Sequence, residues 1–182
     1  CTNQLRQLSL AMLQHESTHR FLPAAGWGGS WAGDPDEGAG LNQPGGWVFN
    51  LLPFIEQKPL YDVGAGLTGT AKKKAFATRD EVAIDGLNCP SRRAAIPYPN
   101  AHSKVPLNSR YAAFHGRSDY AVNAGDIQKL EHWVTDCGPI TVADGKSTAW
   151  RPSLDDHSGI GFAGFLVELR HITDGTSNTY AL

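Results

Sequence analysis

The sequence predicts an α+β fold in which one N-terminal helix packs on an antiparallel β-sheet and long Gly/Pro-rich loops complete the domain. Three observations predict it. Apolar residues recur at helical spacing near the N-terminus, short alternating apolar segments follow later, and the 182 residues include 20 Gly and 11 Pro. The length suits a single domain with a sizeable core.

The first element is an amphipathic helix, which we predict over Asn3–His19. Leu5, Leu8 and Met12 fall on one face at helical spacing, and polar residues fill the opposite face. Pro23 cannot continue a helix, so the element ends before it. Because a lone amphipathic helix is unstable in water, a later part of the chain must cover its apolar face.

The end of this helix carries the pattern H-E-x-x-H, formed by His15, Glu16 and His19. On a helix the two histidines share a face and can bind Zn²⁺, with the glutamate as general base on a bound water. The alternative is a pair of histidines near a helix C-terminus, where positive charge suits the dipole. Charged Arg20 follows directly, and Leu22 stands where the extended motif has glycine. We therefore predict a chance match, with each histidine solvated or hydrogen-bonded individually.

Composition and charge argue against several classes of protein. Hydrophobic content of 41% and charged content of 19% are typical of a loop-rich globular domain. The formal net charge is −2 and the one basic run is three lysines at 72–74, which does not favour nucleic-acid binding. No apolar run has the length of a membrane span, and no signal peptide is visible. The chain starts at Cys1 inside a predicted helix, so we expect a fragment or a processed form.

The chain has three cysteines, Cys1, Cys89 and Cys137, without the close spacing of a zinc or iron–sulfur site. In an exported protein one disulfide could form in any of three pairings and leave one thiol over. In a reducing compartment all three would be buried thiols. Cysteine spacing alone leaves these alternatives open.

Residues 24–46 form a Gly/Trp-rich loop, in which glycine is too frequent for regular structure. Trp27 and Trp31 either cover the core or stand out as platforms on which a sugar ring stacks. Burial is the commoner fate of a tryptophan. Both remain candidate ligand-stacking residues at this stage.

Two short acidic stretches are candidate Ca²⁺ sites. Asp34, Asp36 and Glu37 cluster in the Gly/Trp-rich loop, and hard cations prefer clustered oxygens. Their spacing lacks the remaining positions of a helix-loop-helix calcium site, which favours solvated charges. Asp174 precedes Gly175, and we predict a structural turn there whose side-chain oxygens accept from nearby amides, rather than a cation site. No other cofactor is predicted.

The rest of the chain is predicted as helical turns, loops and strands. Residues 47–63 are strongly apolar, and Pro53 and Pro59 divide them into two or three short helical turns that can cover the first helix. Residues 72–79 are polar and predict no element. Alternating apolar residues predict four strands: Val82–Cys89, Ser118–Ala124, Phe165–Ile172 and Asn178–Leu182.

Short motifs in a fixed order resemble a known family. They are CTNQLRQL at residues 1–8, GW at 46–47, LPFIEQ at 52–57, PLY at 59–61, CPS at 89–91, DYAVNAG at 119–125 and ITDGTSNT at 172–179. In this order they look like the DUF1559 family, which is abundant in planctomycete bacteria and is also labelled a solute-binding family. The resemblance runs from end to end of the chain. Arg92 stands where the family usually has an acidic residue, so a role tied to that acid does not transfer.

Members of that family resemble type IV pilins and the pseudopilins of type II secretion, which carry a prepilin-type leader and an apolar N-terminal helix. The resemblance implies that residues 1–182 are a single pilin-like head domain lacking an upstream membrane helix and a C-terminal segment. It implies an exported protein, periplasmic or at the cell surface, that is membrane-anchored at full length. It also implies a disulfide between Cys1 and Cys89, with Cys137 unpaired.

Two functions follow from these expectations. The first is a non-enzymatic structural or assembly subunit, whose partners are copies of itself or other pilin-like subunits. The second is an extracytoplasmic module that binds a glycan or another solute, supported by the five tryptophans. A zinc hydrolase built on His15 and His19 is a third hypothesis. We predict no catalytic residue.

Overall fold

The first element of the computed structural model is helix α1, Thr2–His19, which begins one residue before the predicted start. The structure describes residues 1–101, 104–125, 138–153, 155 and 157–182. Helix α1 ends where Arg20 adopts a left-handed conformation, with φ of 70°, and donates its N–H to the Glu16 carbonyl oxygen at 2.6 Å. The predicted N-terminal helix is therefore confirmed.

Three short helical segments follow the Gly/Trp-rich loop. They are α2 (Trp47–Leu51), a 3₁₀ turn (Leu52–Ile55) and α3 (Lys58–Tyr61). The first two pack on α1, and the third packs on the second. A proline lies in the first turn of the second and third segments. Proline is tolerated there because the N–H groups of a first turn have no partner within the helix. The predicted division of residues 47–63 into helical turns is confirmed.

A longer helix, α4 (Gly69–Asp80), lies where the sequence predicts no element. Three consecutive lysines and few apolar residues obscure its helical pattern, yet Phe76 and Arg79 are buried on it. A further helix, α5 (Val142–Lys146), begins at a capping box made by Thr141. Other 3₁₀ turns are Pro35–Glu37, Asp85–Leu87 and Leu169–His171.

The described residues contain one small sheet, and it lies outside the predicted strands. Strands β1 (Tyr98–Pro99) and β2 (Phe114–His115) pair antiparallel, with Tyr98 opposite His115. Helices combined with an antiparallel pair make the fold α+β, as predicted.

The four predicted strands are wrong, namely Val82–Cys89, Ser118–Ala124, Phe165–Ile172 and Asn178–Leu182. These segments are coil and turns joined to other parts of the chain by isolated backbone hydrogen bonds. Asp119 N–H donates to the Leu87 carbonyl at 2.9 Å, and Leu22 N–H donates to the Val167 carbonyl at 2.7 Å. Isolated bonds do not make a ladder. Half-buried coil can still place alternate side chains in the core, which reproduces the sequence pattern of a strand.

The core lies between α1 and the segments that cover it. Its buried members are Leu8, Ala11, Met12, Leu22, Leu51, Leu87, Ile160, Phe162 and Val167. Helix α1 contacts α2 and the 3₁₀ turns at Leu52–Ile55 and Asp85–Leu87. Its apolar face therefore packs on short helices and coil, and the predicted packing on a sheet that contains Phe165–Ile172 is wrong. Among the described helices, none combines the length and the hydropathy needed to span a bilayer.

Candidate functional site

The H-E-x-x-H stretch lies at the end of α1, and its first histidine is buried. His15 exposes 0% of its surface, and its Nδ1 donates to the Phe21 carbonyl oxygen at 2.9 Å. The ring of His19 lies 4.6 Å from the His15 ring, and the rings of Phe21 and Phe54 lie 5.4 and 5.5 Å from it. These four residues form what we call the His/Phe cluster. His15 is thus hydrogen-bonded individually rather than solvated.

Burial lowers the pKa of His15 from 6.5 to about 4. The hydrogen bond to Phe21 opposes this shift, and the nearby His19 adds to it. A carbonyl oxygen can only accept, so Nδ1 carries the proton and Nε2 keeps a lone pair. Nε2 is buried and has no hydrogen-bond partner in the described part of the chain. His15 is therefore neutral at neutral pH.

A neutral imidazole with a free Nε2 can bind a metal, but the His/Phe cluster places phenyl rings around it. Across the residues that the structure describes, no three His, Cys, Asp or Glu side chains come together closely enough to hold a metal ion. Glu37 is the carboxylate that could have folded back towards the two histidines. It instead pairs with Lys146, whose Nζ lies 2.8 Å from its Oε1. The geometry gives His15 and His19 a packing role.

Trp27 and Trp31, the candidate ligand-stacking residues, are both buried. Their rings meet edge to face with centroids 5.0 Å apart. Each indole N–H donates to a backbone carbonyl, that of Trp27 to Leu41 at 2.9 Å and that of Trp31 to Pro139 at 2.7 Å. The stacking prediction is wrong for Trp27, which is fully covered by the core, whereas Trp31 lines a cleft.

The acidic turn, residues 34–37, is neutralised in part by a lysine from α4. The Nζ of Lys72 lies 2.7 Å from an Asp34 oxygen and 2.8 Å from an Asp36 oxygen. The hydrogen bond from Lys72 lowers the pKa of Asp36. An ammonium group thus occupies the space between the carboxylates that a Ca²⁺ ion would need. The turn joins the Gly/Trp-rich loop to α4.

Residues 174–178 form the predicted structural turn. Gly175 has φ of +87°, which favours glycine. Asn178 closes the turn, because its backbone N–H donates to the Gly175 carbonyl at 3.0 Å and its side-chain amide donates to the Asp174 carbonyl at 2.9 Å. The turn is confirmed, but its closing bonds come from Asn178 instead of the predicted side-chain oxygens.

Cys1 and Cys89 form the disulfide that the family resemblance implies, with Cα atoms 5.0 Å apart. Cys137 lies outside the described residues. Beside the disulfide, the buried Asp119 carboxylate accepts the Cys89 N–H at 2.8 Å and pairs with Arg92 at 3.2 Å. The bridge fastens the start of α1 to the turn at residues 89–92.

A cleft of about 1070 Å³ opens beside the Gly/Trp-rich loop. Its lining includes loop residues 29–33 and residues of helix α2. It also includes residues between 79 and 87, at the end of α4 and beyond it, and residues near the β1–β2 pair. The volume suits a sugar or another small metabolite.

Arg79 lines this cleft from the last turn of α4 and exposes only 5% of its surface. Its guanidinium carbon lies 4.8 Å from the Phe49 ring centroid and 4.6 Å from the Phe76 centroid, so phenyl rings flank the cation. The nearest carboxylate oxygen, on Asp80, lies 3.7 Å from Nε. The Nη1 atom is buried and has no hydrogen-bond partner among the described residues. Arg79 is therefore a buried cation with an unused donor.

The charges that line the cleft are mostly positive. Burial raises the pKa of Asp80 and lowers the pKa of Arg79, while their attraction opposes both shifts. Lys104 and Arg117 add two cations. Within the described chain, Asp80 is the sole carboxylate that lines the cleft. The site therefore favours an anion over a cation.

Sequence reasoning missed this cleft because its residues come from distant segments. Phe49 lies on α2 and Arg79 on α4, and only the folded chain brings them together. One local signal was present. Phe76 and Arg79 are three residues apart, so they share a helical face once α4 forms.

Comparison with known proteins gives one match. A family model described as "SBP_bac_10: Protein of unknown function (DUF1559)" matches residues 1–182, the whole chain. No curated protein matches the chain, and no solved structure matches it.

Proposed function

Because the chain belongs to the DUF1559 family, whose function is unknown, we propose that it is the head domain of an exported pilin-like subunit. Its role is structural, in type II secretion or in a filament, and not enzymatic. Its partners are copies of itself or other pilin-like subunits. In the full-length protein an apolar helix upstream of Cys1 anchors it in the membrane, and the head stands in the periplasm or at the cell surface.

One observation carries the proposal: α1 is only half covered by the head. Leu8 and Met12 are buried, whereas Leu10 and Leu13 expose 57% and 54% of their surface. Helix packing against a second copy would remove these two leucines from water. Full burial of a leucine contributes roughly 1.5–3 kcal/mol, so a repeated contact along a filament would be stable.

Cysteine cross-linking tests the assembly. Leu10→Cys and Leu13→Cys each place a thiol on the exposed side of α1, and Thr70→Cys places one at an exposed position of α4 as the matched control. The variants are made in the full-length gene, and membranes are oxidised before electrophoresis. We expect dimers from the two α1 variants and not from the control. Equal cross-linking at Thr70, or none at either leucine, would contradict the assembly.

The gene sequence upstream of Cys1 provides a second test. A pilin-like subunit requires a short basic leader followed by about 20 apolar residues that continue into α1. A polar upstream sequence would exclude the membrane-anchored form.

A second candidate function is the binding of a glycan or another solute outside the membrane. The cleft lined by Arg79 favours it, because a buried guanidinium with an unused donor gives the cleft a recognition group. The two functions are compatible. The cleft is lined by residues from Gly29 onward, so its described walls include no residue of α1.

A further inference from the structure

We propose that the cleft binds a small solute through a carboxylate group that pairs with Arg79. This inference rests on the second candidate function, solute binding, and is independent of assembly through α1. The carboxylate belongs to an acidic sugar or to a simple organic acid, since both present the same planar anion to the protein.

The first argument is the unused donor of Arg79. Its Nη1 is buried without a partner in the described chain, and the Asp80 oxygen at 3.7 Å from Nε is beyond ordinary hydrogen-bond distance. A buried guanidinium donor that has lost water and gained no acceptor destabilises the fold. Nη1 has almost no accessible surface in the unbound structure, but Arg79 lines the cleft, so a small shift of the side chain would let a ligand oxygen make the missing hydrogen bond.

The second argument is the shape of the space around the guanidinium. Phe49 and Phe76 lie close to it, and an acceptor reaches the N–H groups of a guanidinium near its plane. A carboxylate is planar and accepts two parallel hydrogen bonds from an arginine. A phosphate can form the same paired contact, but it carries more charge and more oxygens that must leave water. The slot beside the two phenyl rings therefore favours a carboxylate.

The third argument is that the slot is held in place before a ligand arrives. The Phe49 ring stacks on Tyr61 with centroids 4.5 Å apart. It also packs against Gly33 and Gly45, where a Cβ atom would overlap the ring. A fixed ring fixes the guanidinium beside it, and such pre-organisation reduces the entropy lost on binding.

The fourth argument is the charge of the surrounding wall. Lys104 and Arg117 line the cleft together with Arg79, and Asp80 is the one carboxylate among the described residues that line it. The excess of positive charge attracts an anionic ligand and disfavours a cationic one.

Isothermal titration calorimetry on the purified chain tests the proposal with four probes: galacturonate, succinate, glucose and inorganic phosphate. The variants are Arg79→Met, which replaces the buried cation by an apolar side chain of similar length, and Arg79→Lys, which keeps the charge but not the planar fork. Arg110→Met is the matched control, because it removes one positive charge from an exposed position outside the cleft. Circular dichroism establishes that each variant is folded.

We expect at least one of the two carboxylates to bind. Its Kd should rise at least about tenfold in both Arg79 variants and stay unchanged in Arg110→Met. Binding of galacturonate without succinate identifies an acidic sugar, and the reverse identifies an organic acid. The methyl ester of galacturonate should not bind, which tests the carboxylate even if neither Arg79 variant folds.

Several results would overturn the proposal. They are no binding of either carboxylate, tighter binding of phosphate, equal binding of the methyl ester, or an unchanged Kd in a folded Arg79→Met variant. If glucose binds and the acids do not, solute binding stands while the role of Arg79 fails. If no probe binds, both solute binding and the role of Arg79 fail.

Discussion

Acidification should destabilise this fold through one side chain, His15. Its Nδ1 already donates a hydrogen bond to the Phe21 carbonyl oxygen, with 2.9 Å between the two atoms. A second proton would have to go on Nε2, which is buried without an acceptor in the described chain. The imidazolium would also lie beside the His19 ring, with centroids 4.6 Å apart. Protonation therefore favours the unfolded state, in which water solvates both N–H groups.

The size of the effect follows from the pKa of His15, which burial lowers from 6.5 to about 4. The folded state holds the neutral form, so the stabilisation is complete above pH 6.5 and is lost as the pH falls towards 4. At 1.36 kcal/mol for each tenfold change in proton concentration, the complete loss is about 3 kcal/mol. About 2.5 kcal/mol of it should be lost by pH 4.5.

Urea unfolding at several pH values between neutral and about pH 4.5 measures this loss, with the wild type compared to His15→Asn. The asparagine amide can still donate to the Phe21 carbonyl but does not titrate, and the carboxylates of the chain contribute equally to both proteins. His19→Asn is the control, because it removes the other histidine of the His/Phe cluster. The wild type should lose about 2.5 kcal/mol more than His15→Asn. His19→Asn should keep most of this loss, because burial is the largest cause of the lowered pKa of His15 and His19 is a smaller one. Parallel pH profiles for the wild type and His15→Asn would refute the reasoning.

Three further predictions concern the rest of the fold. Replacing Cys1 and Cys89 by serine should lower the free energy of unfolding by about 4.5 kcal/mol in the chain-entropy model, because the bridge spans 88 residues. Urea unfolding measures this loss. An unchanged free energy of unfolding would show that the bridge is not formed. Millimolar Ca²⁺ should leave the melting temperature unchanged, because Lys72 and Lys146 already pair with the carboxylates of the acidic turn. A rise of several degrees in the melting temperature would reveal a cation site. Gly145→Ala should lower the free energy of unfolding by about 1–3 kcal/mol, because the added Cβ would overlap the Trp27 ring. Gly86→Ala is the control and should change the free energy little, because open space surrounds that position. Equal effects of the two substitutions in calorimetry would contradict this packing.

The parts of the fold that sequence reasoning predicted are those governed by local spacing. Helix α1 shows apolar residues at helical intervals, and Pro53 and Pro59 mark the breaks between the segments that cover it. Helix α4 was missed because three lysines interrupt its pattern and Phe76 and Ala77 are its only buried apolar residues. Local spacing is informative only where burial is periodic along the segment.

The predicted strands failed for a different reason. Val167 is buried in coil between half-buried neighbours, so this pattern reflects packing in the core beside α1 and not a ladder. Cysteine spacing left three possible pairings open. The pairing of Cys1 with Cys89 was instead implied by the resemblance to the family. The role of Arg79 depends on Phe49, which is distant in the chain, and no local pattern encodes such a contact.

The disulfide has a mechanical consequence for a protein that is pulled by its ends. Tension applied at Cys1 passes through the covalent bridge directly to Cys89 and continues from there to Leu182. Residues 2–88 lie inside the closed loop and bear none of the load. Helices α1 to α4 and the cleft residues up to Leu87 belong to that shielded segment, whereas β1 and β2 lie on the loaded path. Under force, the part of the cleft wall near β1 and β2 would therefore separate from the rest before Arg79 and its neighbouring rings come apart.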